Sequence, residues 1–272
     1  MFQDPVREIK REPSYDGILR PAFDARSEPS LGATRHYYWC RTDFCEANSS
    51  LEPGKFSEEY VRELARRAYE QGIASFDIVR EKCALLVIDM QDECVRPYWT
   101  PFWVPESTRQ VPKIKRLIGL CRQNAIPVIY TAFAMTHNYY DRPASGTTMP
   151  NRYAEIGTHD PAWFKEGRIW HEVAPLEGET VIYKSSYGAF YDTPLETILK
   201  NLGRDTIIIC GTLTNFCCGM TARQGYERGY KVVFGSDVTS TDDPELQEPE
   251  LKVLRKGFAR VLTLDEILQM LR

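Results

Sequence analysis

Three places in this sequence put chemically complementary side chains at the ends of short apolar runs. Asp89 closes CALLVID (83–89) and Lys184 closes TVIYK (180–184). Cys217 and Cys218 stand in GTLTNFCC (211–218), just where a helical stretch begins. A thiol is a poor nucleophile at its free pKa of ~8.5; a helix N-terminus and a nearby lysine both favour the thiolate. A carboxylate within reach can take the thiol proton and later deliver it to a leaving amine. Backbone N–H groups at the same helix start suit a tetrahedral oxyanion, a contribution of ~3–4 kcal/mol per donor. The chemistry implied is attack by sulfur on a carbonyl carbon.

Each residue has an ordinary reading as well. An Asp after a strand often caps the next helix, and a Lys there is usually a solvated edge charge. A Cys opening a helix is usually a small buried hydrophobe. What favours chemistry is their coincidence on neighbouring strand ends, because an open parallel sheet binds its ligands outside the carboxyl ends of its strands.

The elements that must position them are legible from residue 81 onward. Strands are predicted at 83–89, 127–133, 180–184, 205–211, 231–237 and 260–264, short and rich in β-branched residues, as strands buried on both faces are. Amphipathic helices are predicted near 108–124, 193–202, 217–229, 244–258 and 265–271. Such alternation implies an α/β fold, a doubly wound three-layer sandwich. The segment 134–178 reads as a long loop whose Trp163 and Trp170 wall a pocket. Residues 1–56 form an irregular arm with scattered aromatics, followed by a helix capped by Ser57 and ended near Gly72. Two parts result: 1–80, the arm and its helix, and 81–272, the α/β domain.

Composition narrows the function classes. The 272 residues carry a formal charge of −4, so there is no basic excess for nucleic acid. No apolar run of ~18 residues is present, which argues against a membrane span, and MFQDPVREIKREPSYDG lacks the apolar core of a secretory signal. A cytoplasmic location is the expectation. There the eight cysteines are free thiols rather than a disulfide framework, with Cys83 and Cys210 in the core. Cys40 and Cys45 have neither zinc-knuckle spacing nor a second pair downstream.

Three segments, VIDMQD (87–92), YKSSYGAFYDTPL (183–195) and GTLTNFCCGMTAR (211–223), together resemble the motifs of the isochorismatase-like cysteine hydrolase superfamily. N-carbamoylsarcosine amidohydrolase, nicotinamidases and ureidoacrylate and biuret hydrolases are members of it. The resemblance covers about residues 81–271. It implies a three-layer α/β/α sandwich around a six-stranded parallel sheet, and an Asp–Lys–Cys triad of Asp89, Lys184 and Cys217. Cys218 falls where the family more often has Val. The resemblance also implies a non-proline cis peptide at Leu213–Thr214, aiming the N–H groups of Thr214 and Cys217 at the oxyanion. The implied activity is hydrolysis of a small-molecule amide or ureido compound through a thioester, without a cofactor. Relatives form dimers and tetramers, so a homodimer or homotetramer is implied. The aromatic arm then reaches across the interface or wraps its own globule.

Two departures from the family stand out. Nicotinamidases carry an Asp-x-His arrangement and a further His that bind metal; here YTAFAMTHNYYD offers His137 alone, and no metal is expected. The usual Ser before Ala-Phe is Gly188, which removes a hydroxyl near the pocket or leaves room for substrate. Rival readings are isochorismatase-type vinyl-ether hydrolysis, which needs no nucleophilic Cys, and a non-catalytic scaffold.

Overall fold

Strand β1 (Cys83–Ile88) is buried at every residue, which only the centre of a sheet covered on both faces provides. In a computed structural model the described residues are 56–143 and 162–272. They all lie within the unit Leu51–Arg272. The expectation for the arm lies outside them apart from Phe56, as do Cys40, Cys45, His36 and His159.

β1 pairs in parallel with β2 (Val128–Phe133) on one side and β4 (Thr206–Thr212) on the other. β3 (Thr180–Lys184) extends the sheet beyond β2, and β5 (Lys231–Ser240) and β6 (Arg260–Leu262) extend it beyond β4. The six strands run in the order β3-β2-β1-β4-β5-β6, all parallel, as expected. The chain moves outward from β1 to β3, then returns to the other side of β1. The reversal opens a crevice between the carboxyl ends of β1 and β4.

Alternation along the strands divides the core into two layers. Leu85, Val87, Tyr130, Ile208 and Cys210 pack on one face beneath α3 (Pro105–Gln123) and α7 (Leu264–Met270). Leu86, Ile88, Ile129, Ile207 and Ile209 face α4 (Leu195–Asn201), α5 (Gly219–Glu227) and α6 (Gln247–Gly257). Helix α1 (Glu58–Gln71) begins where Ser57 Oγ accepts the N–H of Tyr60 at 3.1 Å and ends at Gly72, φ +77°. A Cβ on Gly72 would meet Arg255 Cγ at 2.9 Å, so glycine permits the approach to α6. Lys256 Nζ lies 4.2 Å from the centre of the Tyr69 ring across the same contact. None of α1 is buried. The one-turn helix α2 (Asp92–Val95) follows β1 and had no periodic signal long enough to reveal it.

Of the two loop tryptophans, Trp163 lies edge-on to Phe102 at 6.0 Å, whereas Trp170 packs against the first core layer. Trp170 is partly buried there and covers the edge of that layer. No helix among the described residues is long and apolar enough to cross a membrane.

Candidate active site

Asp89 follows the last residue of β1 with φ +47°, a left-handed conformation that a non-glycine residue adopts at a cost of order 1–3 kcal/mol. Its N–H donates to the carbonyl of Thr131 at 3.1 Å, and the Thr131 hydroxyl donates to Asp89 Oδ1 at 2.7 Å. β2 therefore fixes the carboxylate. Oδ2 lies 2.7 Å from Lys184 Nζ, so the carboxyl group and the ammonium pair directly.

Lys184 ends β3, two strands from Asp89, with β2 between them. The expectation of three adjacent strand ends is corrected here. Adjacent strands lie ~4.8 Å apart, and the four-carbon stem of lysine spans the intervening one. Nζ also donates to the Ser186 carbonyl at 2.9 Å and to Cys217 Sγ at 3.4 Å, and lies 5.2 Å from the centre of the Phe133 ring. Both side chains of the pair are sealed from solvent, at 0% and 3% exposure.

Cys217 sits in a single wide turn, Thr214–Cys218, between β4 and α5. The Leu213 carbonyl accepts from Phe216 N–H at 3.2 Å and Cys218 N–H at 3.0 Å. The cis peptide precedes Leu213, at Thr212–Leu213, and not Thr214 as expected. Thr212 is the last β4 residue in register, opposite Ser240, so the chain turns at the bond directly after it. The Thr214 hydroxyl is buried without a hydrogen-bond partner. Cys218, fully buried, belongs to the second core layer.

The resting thiol also departs from expectation. Burial, and after it the charge of Asp89, pushes Cys217 up to about 12 against the opposing pull of Lys184. For Lys184, burial acts downward, but Asp89 and Cys217 more than offset it and the ammonium is held above its ordinary range. Burial thus holds the resting thiol toward its neutral form, and the proton must leave sulfur as attack proceeds. Alkylation of Cys217 by iodoacetamide should accelerate with pH well beyond the ~8.5 of a free thiol. A plateau near pH 8, measured against a Cys217→Ala control, would contradict the neutral thiol.

The loop after β3 is held by α5. Ala189 N–H donates to Thr221 Oγ1 at 3.0 Å and Phe190 N–H to Gln224 Oε1 at 3.1 Å. A Cβ on Gly188 would overlap the Gln224 amide. The space that a side chain at position 188 would take is occupied by the Gln224 amide. Gly188→Ser should cost about 1–3 kcal/mol, through overpacking and loss of the Phe190 bond. Gln224→Ala loses the same bond and clears the overlap, so adding Gly188→Ser to it should lower Tm little further, and strictly additive losses would refute the coupling.

Aromatic rings flank the ion pair. Phe133 stacks on Tyr187 at 6.3 Å and meets Phe164 edge-on at 5.6 Å, and Tyr187 contacts Phe216 at 5.2 Å. The Arg142 guanidinium lies 4.1 Å from the Tyr139 ring centre and 5.2 Å from that of Phe133, with Nε donating to the Ser185 carbonyl at 3.3 Å. Arg142 has no carboxylate partner among the described residues. It is presented by three successive left-handed residues, His137, Asn138 and Tyr139. Asp141 bonds to Thr136 at 2.6 Å and His137 at 3.2 Å within this turn. His137 is thereby engaged with Asp141, and no cluster of three metal-ligating side chains occurs among the described residues.

Asp89, Lys184 and Cys217 thus come together as sequence reasoning expected. Thr131, Ser186, Gln224 and Arg142 escaped it. The DR pair at 141–142 between two strands was the one visible signal for Arg142.

The family model for the isochorismatase domain matches residues 83–266. Nicotinamidase 3 of Arabidopsis thaliana is 31% identical over 192 residues, covering 68% of this chain and 86% of its own length. N-carbamoylsarcosine amidase of Arthrobacter sp is 28% identical over 191 residues, covering 69% of this chain and 70% of its own. The crystal structure of a cysteine hydrolase from Pseudomonas syringae pv. phaseolicola has a TM-score of 0.63 at 28% identity, covering 73% of this chain and 96% of that one. Sheet order, strand-end residues and the extent of these matches agree: the chain belongs to the isochorismatase-like cysteine hydrolase superfamily, a family of hydrolases.

Proposed function

We propose that this chain hydrolyses a linear amide or ureido C–N bond, with Cys217 as nucleophile, Asp89 as proton carrier and Lys184 as the charge that holds them. The observation that carries this reading is Lys184 Nζ lying within 2.7 Å of Asp89 Oδ2 and 3.4 Å of Cys217 Sγ in a sealed site. Two relatives named as a nicotinamidase and an amidase support it.

Sulfur attacks the carbonyl carbon as its proton passes to Asp89. The oxyanion gathers on backbone N–H groups at the start of the Thr214–Cys218 turn that carries the nucleophile. Collapse expels ammonia or an amine, which takes the proton from Asp89, and leaves a thioester. Asp89 then deprotonates the water that cleaves the thioester, and that proton returns to sulfur. Lys184 stays protonated throughout.

Arg142 favours a substrate that carries a carboxylate, such as an N-carbamoyl acid, because a guanidinium held over the Phe133 ring beside the site is suited to bidentate recognition. Vinyl-ether hydrolysis has no use for a thiol placed against Lys184, and a scaffold has none for the ion pair. A panel of N-carbamoyl acids, ureas and primary amides assayed for ammonia release tests the reading. Absence of release across the panel counts against it. With an active acid, Arg142→Gln should raise KM by about 10–100-fold. The KM for an uncharged analogue should barely change, and an equal rise for both would remove the carboxylate role.

A further inference from the structure

Glu93 is a buried carboxylate that the proposed reaction does not use, with 4% of its surface exposed and no cationic partner among the described residues. Burying a charge in this way is costly unless hydrogen bonds replace its water. Here two do. Glu93 Oε2 accepts from the Gln91 amide at 2.9 Å, and Oε1 accepts from the Phe164 N–H at 2.8 Å.

Gln91 is itself locked. Its Oε1 accepts from Phe133 N–H at 2.8 Å, and its Nε2 donates to the Phe133 carbonyl at 3.0 Å. The side chain thus continues the β1–β2 ladder one step past the end of β1, and its amide orientation is set. The second Nε2 hydrogen must then find an acceptor. Glu93 lies between two donors, Gln91 Nε2 and Phe164 N, and only a group with two acceptor oxygens and no donor satisfies both. Glutamine, the nearest isostere, would turn an NH2 toward one of them.

What the network holds are the two rings beside the reacting groups. Phe133 lies 5.2 Å from Lys184 Nζ, and Phe164 stands at 90° to Phe133. The Phe164 segment is drawn in by further backbone bonds, Met135 N–H to the Phe164 carbonyl at 2.8 Å and Asp92 N–H to the Arg168 carbonyl at 2.9 Å. Glu93 is the side chain that joins this segment to the end of β1.

We propose that Glu93 is a positioning residue, whose paired hydrogen bonds set the Phe133–Phe164 wall against the acyl site and so determine how tightly substrate fits. The kinetic half of this statement rests on the amide or ureido reading; the structural half does not. Glu93→Gln should speed hydrogen exchange in the 162–170 peptide by about 10-fold or more, because one latch bond is lost. With a compound that the wild type hydrolyses, KM should rise by about 10-fold while kcat stays within about 3-fold, the signature of lost uniform binding. Phe164→Leu, which thins the wall and leaves Glu93 intact, should give the same KM rise. Unchanged exchange in Glu93→Gln would overturn the latch. A fall of kcat equal to the rise in KM, or a wild-type KM in Phe164→Leu, would overturn the positioning role. If the wild type hydrolyses nothing in the panel, the functional reading fails on its own. The wall is then judged by Cys217 alkylation: Glu93→Gln should raise the rate ratio of N-ethylmaleimide to iodoacetamide, and an unchanged ratio refutes it.

Discussion

Cys217→Ala is expected to reduce turnover by at least about 10³-fold while the protein remains folded, since loss of a covalent nucleophile leaves only binding and oxyanion stabilisation. Cys217→Ser should be nearly as inactive. A hydroxyl ionises far above a thiol, and the Asp89 carboxylate already shares its charge with Lys184. The neighbouring thiol supplies the control. Cys218 is fully buried in the second core layer, so Cys218→Ala should cost stability rather than chemistry. Its kcat/KM, measured well below its Tm, should remain within about 10-fold of wild type. Comparable inactivation by both changes would mean that sulfur at 217 is not the attacking atom. Ammonia release and mass-spectrometric detection of an acylated Cys217 would decide the matter together.

The second large effect concerns the buried pair. Lys184→Met should destabilise the fold by about 3–5 kcal/mol, because it leaves Asp89 charged and uncompensated inside the protein. Asp89→Asn should cost a similar amount by stranding the ammonium. Both variants should be inactive. The informative variant is the double one, Asp89→Asn with Lys184→Met, which removes both charges and should recover much of the lost stability with no recovery of activity. Losses that simply add would show that the two groups are not coupled.

The pH dependence follows from the same pair. Lys184 is raised above its unfolded value, so its contribution to stability is complete below an unfolded pKa of ~10.4 and is lost as pH rises through the higher folded value. The stability gap between wild type and Lys184→Met should hold from neutral pH to about 10 and shrink above it. Urea denaturation at a series of pH values measures this. A gap that closes below pH 9 would contradict the assignment.

Much of the fold was legible because its signals are local. Five-to-seven-residue apolar runs rich in Ile and Val mark the strands, which begin within a residue of their predicted starts; burial on both faces holds for β1 and β4, whereas β3 and β6, at the sheet edges, are only partly covered. Ser57 and Gly72 bound the first helix for reasons contained in their own backbone chemistry. Helix α3 begins earlier than its apolar period, at Pro105, since proline is tolerated in a first turn and carries no periodic signal. Asp89, Lys184 and Cys217 could be picked out because each stands where an apolar run ends or a helix begins.

What the sequence by itself determined was therefore which elements form and which reactive groups stand at their ends. Tertiary structure decided the rest, because those features depend on neighbours far away in the chain. Strand order placed β2 between β3 and β1, so that Lys184 reaches Asp89 across an intervening strand and Thr131 comes to hold the carboxylate. Packing of α5 filled the space at Gly188 with Gln224, a contact between residues 36 positions apart that no local pattern encodes. Burial also sets the direction in which the thiol is shifted. A helix start and a lysine, read from sequence, argue for a lowered pKa, but desolvation and the charge of Asp89 outweigh them once the site is closed. Desolvation is set by everything packed around a group, and so it belongs to the folded chain as a whole.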